Sequence, residues 1–182
     1  MQTYTRVFCA VAIALCAAPI ATTAADIRPC ELFSTKEIAS VLGVSPGRSG
    51  ETDITINTTR ELGCTWHLET GGSFSVGVIR YGSAADTKRD WSKVLYFRNH
   101  SPLSAPPLSE VPGPGEQNLW KSWSSSWTDT GGFEYFAAGF EWFARRGQTV
   151  LRVSSKNVEG MRPESQREAI RDLVALGLKR LP

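Results

Sequence analysis

Among the residue types that could do chemistry, His67 stands out first. In an alternating stretch it shares a face with Thr65 and Glu69, and a carboxylate beside an imidazole can steer a general base. The i, i+2 spacing, however, only places these side chains on one solvated strand face. No Gly-x-Ser-x-Gly turn supplies a nucleophile, and the Ser124-Ser125-Ser126 run has none of that local architecture. A hydrolase built on His67 or on that run is therefore the weaker reading. Asp86 and Asp90 lie one helical turn apart with Lys88 and Arg89 between them, the pattern of a charged helix face rather than a cation site. Gly113-Pro114-Gly115 is no phosphate cradle, because the proline removes a backbone donor and no Lys-Ser/Thr pair opening a helix follows. His100 borders a proline-rich stretch and reads as a surface residue. These patterns imply no metal site, no cofactor and no reaction centre.

The cysteines speak to compartment. Arg6, the apolar run Val7 to Ala18 and the small residues up to Ala25 follow the order of a secretory leader, expected over residues 1–25 with the mature chain starting near Asp26. The apolar run is too short to span a bilayer, which takes ~20 residues. Cys16 is preceded by the bulky Leu15, a poor lipidation site, so a soluble periplasmic or secreted protein is expected, with no membrane span. Cys9 and Cys16 leave with the leader. Cys30 and Cys64 remain, in a compartment that permits disulfides, and a single bridge is the economical reading. Without residues 1–25, the chain carries 19 basic against 18 acidic side chains. That balance offers no clustered basic face for nucleic acid.

Aromatic residues form the densest cluster: Trp120, Trp123 and Trp127, with Phe133, Tyr135, Phe136, Phe140, Trp142 and Phe143 close behind. Alternation along a strand sends about half of such residues inward, so Phe140, Trp142 and Trp66 are expected in the core. Trp120, Trp123 and Trp127, together with Pro106 and Pro107, are the candidate binding residues. Those two prolines belong to a stretch, Asn99 to Glu116, that also holds Pro102, Pro112 and Pro114. It is expected to be a long loop through which neither helix nor sheet can run.

The elements that must position these residues are legible in part. Ser34 and Glu37 form a capping box, Phe33 staples against Ile38, and Gly43 ends a helix whose apolar face is Ile38, Val41 and Leu42. Residues Ser45 to Asp53 read as a polar, Gly-rich loop before a short strand around Ile54 and Ile56. Cys64, Trp66 and Leu68 share one face of a strand that turns at Gly71-Gly72 into Phe74 to Tyr81. Ser83 and Asp86 start a second helix with Trp91, Val94 and Leu95 on its buried stripe. Strands are expected over Leu119 to Trp127, Phe133 to Ala138, Phe140 to Arg145 and Thr149 to Ser155, with a turn at Arg146-Gly147. A last helix starts at Pro163 and runs along Ile170, Leu173, Val174, Gly177, Leu178 and Leu181. The order predicts a single α+β domain over residues 26–182: an antiparallel sheet of about five to seven strands covered on one face by two or three helices.

Pro29-Cys30-Glu31-Leu32, the helix ending at Leu42-Gly43, Gly63-Cys64-Thr65-Trp66, and Val111-Pro112-Gly113-Pro114-Gly115-Glu116 together resemble a class of small exported bacterial proteins and lipoproteins of unknown function. That resemblance spans most of the mature chain. It implies an exported α+β domain, a Cys30 to Cys64 bridge and structural roles for Trp66 and Gly115, and it brings no catalytic residues. The function expected is that of a non-catalytic exported binding protein, an inhibitor or immunity-type factor for a protein partner in the cell envelope or outside the cell. A glycan or envelope-polymer binder using the tryptophans is the alternative, and a hydrolase the third.

Overall fold

The Ser34–Glu37 cap forms as its residue types require. The Glu37 carboxylate accepts from the Ser34 N–H at 2.8 Å, and the Ser34 hydroxyl accepts from the Glu37 N–H at 3.3 Å. Helix α1, Thr35–Leu42, begins there in a computed structural model that describes residues 27–56, 59–99, 107–128 and 130–182. Gly43 closes α1 in the left-handed conformation, at φ +76°. The leader expected over residues 1–25 lies outside the described residues.

After α1 the chain forms β1 (Pro46–Ile56), β2 (Thr59–Leu68), β3 (Ser73–Arg80), α2 (Ala84–Asn99), β4 (Ser109–Glu110), β5 (Gln117–Thr128), β6 (Glu134–Arg146), β7 (Thr149–Glu159) and α3 (Arg167–Arg180). The strands make one seven-stranded antiparallel sheet in the order β1-β2-β3-β7-β6-β5-β4. Each half contributes a run of hairpin-connected strands, and the halves join where β3 meets β7. The expected α+β architecture is the one observed.

Several boundaries differ from the sequence reading. Ser45 to Asp53, read as loop, is mostly β1: at the border of the sheet a strand needs apolar residues on neither face to hold its ladder with β2. Phe133 to Arg145, read as two strands, includes one strand, β6, with a register shift between Ala138 and Phe140. Gly139 at that shift has no room for a side chain, since a Cβ there would lie 2.4 Å from the Trp123 ring and 2.5 Å from the Ser155 carbonyl oxygen. Pro163 precedes α3 by four residues instead of opening it, and is buried in the turn that leads into the helix.

Side-chain alternation divides the sheet. Trp66, Phe74, Phe140, Trp142, Leu151 and Val153 point to the face covered by α1 and α3, where Phe33, Ile38, Ile170 and Val174 complete the main core. Gly177 allows the close approach of α3, because a Cβ there would come within 2.7 Å of both Leu151 and Phe33. Cys30, on the short turn Pro29–Glu31, is bonded to Cys64 of β2 with Cα atoms 5.1 Å apart. Closing that loop is worth about 3.8 kcal/mol in the chain-entropy picture. On the opposite face, Trp91 of α2 joins Leu108, Leu119, Phe143 and Val150 in a smaller cluster.

One contact between α1 and α3 is set to respond to acid. The Arg180 guanidinium grips both Glu37 oxygens, at 2.7 and 3.0 Å. That hydrogen bonding, with the cap N–H of Ser34, lowers the Glu37 carboxyl from its ordinary 4.5 to about 2. A carboxyl more acidic in the folded chain than in the unfolded one stabilises fully above about pH 4.5 and loses that contribution as the pH falls through about 2. Thermal melts between pH 5 and 2 should therefore show a larger loss of Tm in the native chain than in Glu37→Gln. Parallel curves for the two would contradict the assignment.

Candidate binding surface on the β5–β6 hairpin

β5 pairs with β6 without interruption from Gln117↔Arg145 to Thr128↔Glu134, so alternation holds along its whole length. Asn118, Trp120, Ser122 and Ser124 point toward the helical face. Leu119, Lys121, Trp123, Ser125 and Trp127 point to the other.

This alternation corrects one expected binding residue. Trp120 is 4% exposed and belongs to the core. Its ring stacks on Phe140 with centroids 5.5 Å apart and meets Trp142 edge-on at 5.2 Å. Its indole N–H donates to Glu164 at 3.2 Å, and the Arg167 guanidinium lies 5.7 Å from the ring centroid. Trp120 thus holds the segment before α3 against the sheet and offers nothing to a ligand.

Trp123 is half-buried, lying over Gly139 with the Lys121 ammonium 5.5 Å from its ring centroid. Trp127 is 51% exposed. Beyond the helical layer the hairpin also presents Phe133 at 68% and Phe136 at 42% exposure. A cleft of about 500 Å³ opens beside Phe136, lined by Ser122, Trp123, Ser124, Arg162, Pro163 and Glu164. The Ser122 hydroxyl donates to Glu164 across it. Phe133 and Phe136 were visible in the sequence only as members of an aromatic cluster. Their exposure follows from the length of the hairpin relative to the helices, which no local pattern reports.

The face carrying Trp123 also holds a charged network. Glu141 of β6 is 3% exposed, 3.1 Å from the Lys121 ammonium and 2.7 Å from the Arg152 guanidinium. His67 lies farther across the same face, exposed and opposite Ser73. Three strands separate β2 from β5, about 19 Å at the usual ~4.8 Å spacing, so His67 cannot serve the Ser124–Ser126 run as a base.

The proline-rich stretch is more tightly built than its composition suggests. Pro106 lies outside the described residues, and Pro107 is exposed. Leu108 is buried, and Ser109–Glu110 forms β4, so sheet does enter a segment expected to exclude it. The two-residue ladder fits between prolines because neither Ser109 nor Glu110 lacks an N–H. Gly115 and Asn118 then exchange hydrogen bonds at 3.3 and 3.2 Å, and the Glu116 N–H donates to the Arg145 carbonyl at 2.7 Å. A Cβ at Gly115 would come within 2.6 Å of that carbonyl oxygen. Val111 to Glu116 is thus pinned to β5 and β6 by hydrogen bonds, and the exposed aromatic side chains that remain candidates lie on the hairpin.

Neither a protein-family model nor a curated protein matches the chain. The hairpin surface therefore carries the functional reading by itself. Among the described residues no helix is long and apolar enough to cross a membrane, and no three His, Cys, Asp or Glu residues gather where they could hold a metal ion.

Proposed function

We propose that the chain is an exported, non-catalytic binding protein that engages a protein partner in the cell envelope or outside the cell, as an inhibitor or immunity-type factor does. The observation that carries this reading is that, among the described residues, the exposed large hydrophobic side chains, Trp127, Phe133 and Phe136, group at one end of one hairpin, Trp127 and Phe136 on its two faces. Exposed aromatics next to a cleft are the anchors that dominate interface energies. The Cys30–Cys64 disulfide supports an oxidising compartment. Tryptophans on a strand face also suit stacking on sugar rings, which keeps an envelope polymer as the second reading.

Affinity capture from the native periplasm or secretome should retain a protein with the native chain. Replacing Trp127 and Phe136 together by Ser, in a protein whose circular dichroism is unchanged, should weaken that capture by at least tenfold, or about 1.4 kcal/mol. Undiminished capture by the folded double variant would remove the hairpin as the binding surface. Retention of polysaccharide in place of protein would establish the second reading.

A further inference from the structure

The two borders of the sheet are built differently. β1 opens on Pro46, breaks register between Pro46 and Ser49, and carries Arg48, Glu51 and Asp53. Proline, irregularity and charge are the devices by which natural edge strands avoid pairing with another chain. β5 has neither proline nor a register break, and Lys121 is its only charge. β4 reaches only Leu119 and Trp120, so from Lys121 onward β5 is the border of the sheet among the described residues. There it reads Lys-Ser-Trp-Ser-Ser-Ser-Trp-Thr, with no proline and no register break, and Lys121 is engaged by Glu141 on the sheet face.

We propose that this border pairs with the same border of a second copy of the chain, antiparallel about a two-fold axis through Ser125, so that the two sheets become one. The register follows from β5 itself. The Val111 N–H donates to the Asn118 carbonyl at 3.2 Å, so Asn118 turns its backbone groups toward the β4 side. By alternation Ser122, Ser124 and Ser126 turn theirs to the border, while Trp123 and Ser125 bond to β6. A partner strand in a continuous sheet must match residues of the same face. With the axis at Ser125, Trp123 of each copy stands opposite Trp127 of the other, and Ser124 of each exchanges backbone hydrogen bonds with Ser126 of the other. The tryptophans then occupy non-hydrogen-bonded positions, where facing Cα atoms are ~4.5 Å apart and side chains approach most closely. Aromatic pairs at such positions are stabilising. Moving the axis to Ser124 or Ser126 dissolves both tryptophan pairs. The spacing of two tryptophans evenly about Ser125 is what makes the edge complementary to itself, the requirement of an isologous dimer.

This pairing goes beyond the partner binding proposed above, and it is read on the purified chain with no partner present, so failure of one leaves the other standing. Sedimentation velocity and light scattering on the exported, oxidised chain should show a dimer. Ser125→Lys, which sets two like charges directly opposite at the axis, and Ser124→Pro, which removes an outward donor without touching the β6 ladder, should each weaken the dimer at least tenfold with unchanged circular dichroism. Ser125→Cys should oxidise to a covalent dimer, since ~4.5 Å between Cα atoms lies within disulfide reach, and Ser122→Cys should not. A native chain that is monomeric at hundreds of micromolar would overturn the proposal. So would a dimer indifferent to Ser125→Lys and to Ser124→Pro, or one that cross-links at Ser122 but not at Ser125.

Discussion

Replacing Trp120 by Ala should destabilise the fold by about 3–5 kcal/mol, the range for truncating a large buried aromatic side chain. The indole fills the space between Phe140 and Trp142, so its loss leaves a cavity that neighbouring rings cannot collapse into without leaving their own contacts. It also takes from Glu164 one of two donors and uncovers the Arg167 guanidinium, loosening the turn that leads into α3. Trp127 on the same strand points to the opposite face and is half exposed, so Trp127→Ala should cost clearly less than Trp120→Ala. Urea unfolding of both variants measures the contrast. A Trp120→Ala cost below about 1 kcal/mol, or equal costs at the two positions, would mean that the two faces of β5 have been exchanged.

Glu141→Ala should cost a similar amount, about 3–5 kcal/mol, for a different reason. Its carboxylate is the anionic centre between Lys121 and Arg152, and it is almost wholly removed from water. Truncation takes the anion from a nearly buried Lys121 ammonium, while Arg152 keeps Glu61 at 4.0 Å, and it is this uncompensated ammonium, more than the loss of the pair, that destabilises. Adding Lys121→Met to Glu141→Ala should recover part of the loss, because the stranded ammonium is removed, and the coupling in that double-mutant cycle should exceed about 1 kcal/mol. Additive losses, measured by denaturant unfolding, would show that Glu141 acts by packing alone.

What could be read from the sequence was local or periodic. The Ser34–Glu37 box, the Gly43 stop, the Gly71-Gly72 turn and the apolar stripe of α3 each depend on residues within a few positions of one another, and each forms where expected. The α+β class follows from the same signals, since a run of alternating segments framed by amphipathic helices has few ways to bury its apolar faces. On β5 the sequence reading kept Trp120, Trp123 and Trp127 all as binding candidates, and Trp120 proved to be inside.

Which of them would be inside was a tertiary decision. A period of two separates Trp120 from Trp123 but does not say which set meets the helices. That is settled by the packing of Phe140, Trp142 and Leu151 beneath α3. β1 was hidden for a related reason: a border strand is held by its ladder to one neighbour and needs no hydrophobic signature of its own. The exposed aromatics, the Glu141 network and the length of β5 beyond its ladder with β4 join residues distant in sequence or depend on where β4 and the helices stop. Residue types determined the capped helices, the hairpins and the oxidisable cysteine pair. The assembly of the two halves at β3 and β7 decided which faces and edges were left to meet another molecule, because burial and pairing are properties of neighbours that the chain acquires only when it closes on itself.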